Sequence, residues 1–132
     1  MRAIDTNVVV RFLAGDDPDQ SPKARTLVEA GDLFVSLTVI LEAEWVLRSV
    51  YGHKGPQVAA ALRAFAGLPG MSVEAPGRLA AALDRAEAGM DFADALHLGG
   101  AEGCEALLTF DRRFVKAARA MGIGTVVEVD GG

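Results

Sequence analysis

One cysteine, two histidines and one asparagine stand among 132 residues. The single cysteine, Cys104, excludes an internal disulfide and any cysteine-based metal site. It is expected as a small buried or half-buried thiol in a reducing, cytoplasmic setting. Two histidines and one cysteine are too few for the nitrogen and sulfur donors that zinc favours. No apolar run approaches the ~18 residues of a membrane span. Asp5 interrupts the opening residues before any long apolar h-region, so no signal peptide is expected. Bases are also short, with 13 Lys and Arg against 18 Asp and Glu and a net charge of -5. That sum disfavours nonspecific nucleic-acid binding. Repeats, low-complexity tracts and linkers are missing, and GLPGM at 67–71 reads as a turn.

What is present fits one domain, 1–132, long enough to bury a core. The hydrophobic fraction is 51% and the charged fraction 23%, which argues against disorder. Met1 to Ile4 reads as a short buried strand with Asp5 at its carboxyl end. Val8 to Leu13 is too short to assign. Helices are expected over Pro22 to Ala30, Thr38 to Tyr51, Pro56 to Ala66, Gly77 to Ala88, Asp91 to Ala101 and Arg113 to Met121. Strands are expected over Leu33 to Leu37, Met71 to Glu74, Ala106 to Phe110 (buried) and Thr125 to Val129. Short apolar strands alternating with helices indicate an α/β fold with a parallel sheet covered on both faces.

Most acids need no function. Asp16, Asp17, Asp19, Asp84, Glu87 and Glu102 fall in loops or on solvated helix faces. Asp5 and Asp111 differ, because each directly follows an apolar strand. Ligands of parallel α/β sheets gather outside the carboxyl ends of strands, although aspartate also caps helices there. Glu42 lies within the long apolar helix, and no cation stands at Thr38, Val39, Trp45 or Val46, its neighbours by helical spacing. Glu44 has Arg48 four residues on, which explains it as a surface pair. Asp91 and Asp94 open a helix at i, i+3 spacing; Asp91 suits a cap, and Asp94 sits deeper between two alanines. His97 continues that face, as a packing or surface residue or as a phosphate contact.

If Asp5, Glu42, Asp94 and Asp111 converge, each pair of charges ~4 Å apart repels by roughly 4 kcal/mol at an effective dielectric of 20. Such a cluster calls for cations. Oxygen donors alone suit Mg²⁺ or Mn²⁺, and the chemistry would be metal-assisted hydrolysis of a phosphodiester. Arg112, Arg113, Lys116 and Arg119 gather four of the 13 bases within eight positions, beside Asp111. They form either a nucleic-acid backbone contact or an ordinary solvated helix face.

Four segments, IDTNVVVRFLAGDD, VSLTVILEAEWVLRSVYG, DFADALHL and LLTFDRRF, together resemble the PIN-domain ribonucleases, most closely the VapC-type toxins of type II toxin–antitoxin systems. The resemblance spans nearly the whole chain. It implies a three-layer α/β/α sandwich around a mainly parallel sheet, a Mg²⁺- or Mn²⁺-dependent endoribonuclease, an RNA substrate, a cognate antitoxin and a homodimer. The family's four acids fall on Asp5, Glu42, Asp94 and Asp111, with Asp91 as an additional metal-ligand candidate. Asp5, Asp94 and Asp111 would hold one or two metal ions, and Glu42 would bind metal or position water. Thr6 and Asn7 match the polar pair after the first aspartate, Thr6 bonding Asp111 or phosphate and Asn7 fixing the loop.

Two other readings stand beside this one. A phosphatase or receiver-like domain needs a strand-end aspartate, which Asp5 supplies. No lysine follows Lys116, however, and Asn7 stands where a second acid of a DxD signature belongs. A non-catalytic RNA- or protein-binding module on the same fold also suits the acidic charge, and the apolar helix around Trp45 suits a dimer interface.

Overall fold

The computed structural model describes residues 1–129 and divides into two compact units, Met1–Pro76 and the part from Gly77 onward. The first unit carries β1 (Arg2–Ala3), α1 (Thr6–Ala14), α2 (Gln20–Ala30), β2 (Leu33–Val35), α3 (Leu37–Ser49), α4 (Gly55–Ala66) and β3 (Met71–Val73). The second carries α5 (Pro76–Glu87), α6 (Phe92–Gly100), β4 (Leu107–Thr109), α7 (Arg112–Ala120) and β5 (Val126–Glu128). Strands alternate with helices and all described strand pairs are parallel, so the fold is α/β.

In the first unit the strands form one sheet in the order β1-β2-β3. Central β2 pairs Leu33 with Arg2 on one side and with Met71 on the other. Leu33 and Val35 are buried, as a strand flanked on both sides requires. The start of this pairing depends on two glycines. Gly31 and Gly70 both have positive φ, and a Cβ on Gly70 would lie 2.7 Å from the Gly31 Cα. That approach brings the Gly70 carbonyl within 2.9 Å of the Leu33 N–H. Val9, Val10, Ile40, Leu62 and Phe65 are among the residues that the helices bury.

In the second unit β4 and β5 pair with Leu107 opposite Val126 and Leu108 opposite Val127. Helices α5, α6 and α7 bury Leu79, Leu83, Phe92, Leu96, Phe114 and Val115.

Several expectations need correction. The first strand covers only Arg2–Ala3 and both residues are exposed; burial begins at Ile4. The unassigned Val8 to Leu13 segment is helix from Thr6, fixed by the Asp5 cap despite three β-branched valines. The strand expected as buried at 106–110 leaves Leu108 67% and Phe110 80% exposed. Cys104 is exposed, in the turn region after α6. Glu44, expected on the surface, is 4% exposed. Its carboxylate faces the Arg48 guanidinium through Nε–Oε2 at 3.0 Å and Nη2–Oε1 at 3.4 Å, which is how a charge remains in an apolar setting. Asp17 lies in the loop between α1 and α2, as expected, and its Oδ1 accepts from the Asp19 and Gln20 N–H groups.

Candidate functional site

Three of the singled-out aspartates are helix N-caps. Asp5 precedes α1 and its Oδ1 accepts from the Val8 N–H at 3.2 Å. Asp91 precedes α6 and accepts from the Asp94 N–H at 3.0 Å. Asp111 precedes α7 and accepts from the Arg113 and Phe114 N–H groups at 2.9 and 3.3 Å. A side-chain acceptor at this position satisfies an amide that the helix leaves without a partner, and the carboxylate complements the positive end of the helix dipole. In all three the cap uses Oδ1. All three side chains belong to exposed residues, so a cap and an outward-facing carboxylate oxygen coexist.

In the first unit Glu42 is exposed on α3, and the Thr6 hydroxyl at the start of α1 donates to its Oε1. The Asp5 cap and the Glu42 carboxylate are thereby joined through the residue that follows Asp5. The partner of Thr6 is therefore Glu42, where the sequence offered Asp111 or phosphate. Asn7 lies in the first turn of α1 and lines a groove of about 210 Å³ with Arg11, Gln20 and Lys23.

In the second unit Asp94 sits in the first turn of α6 and caps no helix. Burial raises its carboxyl above the usual value, and the charges of Asp91 and Asp111 raise it further, while His97 opposes them. The three aspartates thus share one negative field. Glutamates and aspartates offer only oxygen, the donor of hard divalent cations. Among the described residues no group of three or more His, Cys, Asp or Glu stands close enough to hold a metal ion. Mg²⁺ takes one or two carboxylates and keeps several waters, so the donor chemistry still fits such an ion.

Helix α7 buries Phe114, Val115 and Ala118 and leaves Arg112, Arg113, Lys116 and Arg119 exposed. Arg112 is engaged with Glu128 at 2.9 Å, which leaves Arg113, Lys116 and Arg119 as the exposed bases without that tie. Phe110, expected inside a buried strand, is exposed directly before Asp111.

No helix among the described residues is long and apolar enough to cross a membrane. The comparison with curated proteins finds no match. The family model described as PIN domain matches residues 3–120. PIN domains are generally nucleases, and the matched region contains Asp5, Glu42, Asp91, Asp94 and Asp111. With parallel strands between helices and acids at three helix starts, the chain belongs to the PIN-domain family.

Proposed function

We propose that this chain is a Mg²⁺- or Mn²⁺-dependent endoribonuclease, acting as a single domain over 1–132 and as the toxin of a type II toxin–antitoxin pair. Its partners would be an RNA substrate, a cognate antitoxin and a second copy in a homodimer, in the cytoplasm. The observation that carries the catalytic reading is Asp94. Capping explains Asp5, Asp91 and Asp111 without any chemistry, and on that ground a non-catalytic RNA- or protein-binding module competes. Asp94 caps no helix, and beyond its place in the first turn of α6 it is kept half-buried in the field of two other carboxylates. A fold that tolerates that repulsion holds a place for positive charge.

In the second unit one or two of Asp91, Asp94 and Asp111 would hold the divalent cation, with water completing its coordination. When bound, such an ion supplies charge to the scissile phosphate and lowers the pKa of its water. In the first unit Asp5 is the candidate ligand, and Glu42, its Oε1 receiving the Thr6 hydroxyl, is the group that holds and orients the attacking water. Arg113, Lys116 and Arg119 would bind the RNA backbone, with Arg112 steadied by Glu128.

The test incubates wild type and Asp5→Asn with a structured RNA in Mg²⁺, Mn²⁺ and EDTA. Metal-dependent cleavage by wild type, lost in the variant, supports the reading. No metal-dependent cleavage by wild type overturns it. Growth arrest on expression, relieved by the product of a small neighbouring reading frame, tests the toxin role.

A further inference from the structure

Phe110 is the most exposed of the large apolar residues described, at 80%, and Leu108 and Val127 beside it are 67% and 41% exposed. Leu108 and Val127 are register partners on β4 and β5, and Phe110 follows two residues after Leu108. An exposed apolar patch in a small chain marks something it touches.

Two further features decide what that is. The first is how firmly the patch is mounted. The Thr109 carbonyl accepts from the Val129 N–H at 2.8 Å, and the Thr109 hydroxyl accepts from the Asp111 N–H at 3.0 Å. Asp111 in turn caps α7. The backbone on both sides of Phe110 is therefore tied, and its exposed ring projects from a hydrogen-bonded support. A preorganised group loses little entropy on binding. The second feature is charge. Arg112, Lys116 and Arg119 recur at i, i+4 and i+7 along α7 and form one exposed stripe, in which Arg112 is paired with Glu128 at 2.9 Å and Lys116 and Arg119 carry the charge without that tie. That stripe starts two residues after Phe110, at most about 7 Å of chain.

An aromatic face beside a cationic track is the combination that binds unpaired nucleotides: bases stack on the ring and phosphates follow the cations. We propose that Phe110 is a base-stacking residue that seats one unpaired nucleotide of the RNA next to Asp111, with Leu108 and Val127 as the apolar floor. This rests on the ribonuclease reading for the identity of the strand. It adds a specificity element: the nucleotide beside the candidate ligand Asp111 must be unpaired, and its base is held by stacking, with no hydrogen-bonding code.

The test uses full-length wild type, Phe110→Ala and Phe110→Trp, with folding checked by circular dichroism. Fluorescence anisotropy in EDTA measures binding of a labelled 12-nucleotide oligouridylate and of an abasic strand of equal length and charge. One lost stack should weaken the Phe110→Ala complex with oligouridylate roughly 5-fold or more. Phe110→Trp should bind it as wild type does, and the abasic strand should bind all three proteins alike. Equal affinities for oligouridylate across the three proteins, equal losses on both strands, or no binding by wild type overturns the proposal. A shift of Phe110→Ala from dimer to monomer in sedimentation, with RNA affinity unchanged, also overturns it and assigns the patch to a second copy. Binding data of the expected form, with no cleavage by wild type in Mn²⁺, would sink the nuclease reading and leave the stacking role standing.

Discussion

The Thr6 hydroxyl donates to the Glu42 carboxylate across 36 residues of sequence, and so ties the first turn of α1 to the middle of α3. That bond holds the Glu42 carboxylate beside the start of α1, where Asp5 is held separately by the Val8 N–H. Thr6→Val removes the donor and keeps the shape. Because Glu42 is exposed, stability should fall by only about 1 kcal/mol. Cleavage should fall much further, with kcat affected more than KM, and Thr6→Ser should restore it. Melting curves and steady-state kinetics on the same preparations separate the two effects.

Asp111 has two duties that substitution separates. Asn caps helices about as well as Asp, so Asp111→Asn should melt within about 0.5 kcal/mol of wild type while losing charge. Asp111→Ala should lose the cap as well, at about 1 kcal/mol. Both variants should be defective in RNA cleavage. A fully active Asp111→Asn protein would leave the residue with capping alone.

Asp94 and Asp17 should give opposite pH signatures. The folded-state affinity of Asp94 for a proton exceeds its unfolded value of 3.8, so its protonated form favours the fold. Its contribution to stability is therefore lost as pH rises from 3.8 through the raised value, and Asp94→Asn should be more stable than wild type near neutrality. Asp17 is shifted the other way, first by the Gln20 N–H and then by the Asp19 N–H. Its contribution is present above 3.8 and is lost as pH falls through the lowered value. Thermal midpoints of wild type and the single variants between pH 3 and 7, without metal, check both signs.

Glu44 and Arg48 form a pair with one buried member. Arg48→Met should cost about 3 kcal/mol or more, because it leaves a buried carboxylate without its cation. The double variant Glu44→Leu with Arg48→Met should recover most of that loss, since the uncompensated charge is gone. Urea unfolding of wild type, Arg48→Met and the double variant tests this; a double variant no more stable than Arg48→Met would contradict it.

What the sequence disclosed follows from the range of each interaction. Asp5, Asp91 and Asp111 stood out because strand ends and helix starts are written in a few adjacent residues, and all three proved to be caps. Helices α3 to α7 likewise lie within one or two residues of the spans their apolar spacing indicates. Long-range relations were hidden. Nothing near Thr6 specifies a partner 36 residues away. An i, i+4 acid–base pair reads the same whether solvated or buried, and Glu44 was misplaced for that reason. Leu-Leu-Thr-Phe has strand composition, but composition does not say whether a partner covers its face, so Leu108 and Phe110 were placed inside. The β-branched run at Val8 to Val10 masked α1, whose start is set by the Asp5 carboxylate and whose burial is set by Val9 and Val10.

The most direct test of the account is whether the Asp94 field holds a divalent cation. Isothermal titration of Mn²⁺ into wild type and Asp94→Asn at neutral pH measures this without RNA or turnover. The account expects saturable binding to wild type, a rise in its melting temperature as Mn²⁺ is added, and at least a ten-fold weaker response in Asp94→Asn. Equal binding by the two proteins, or none by wild type, would contradict it.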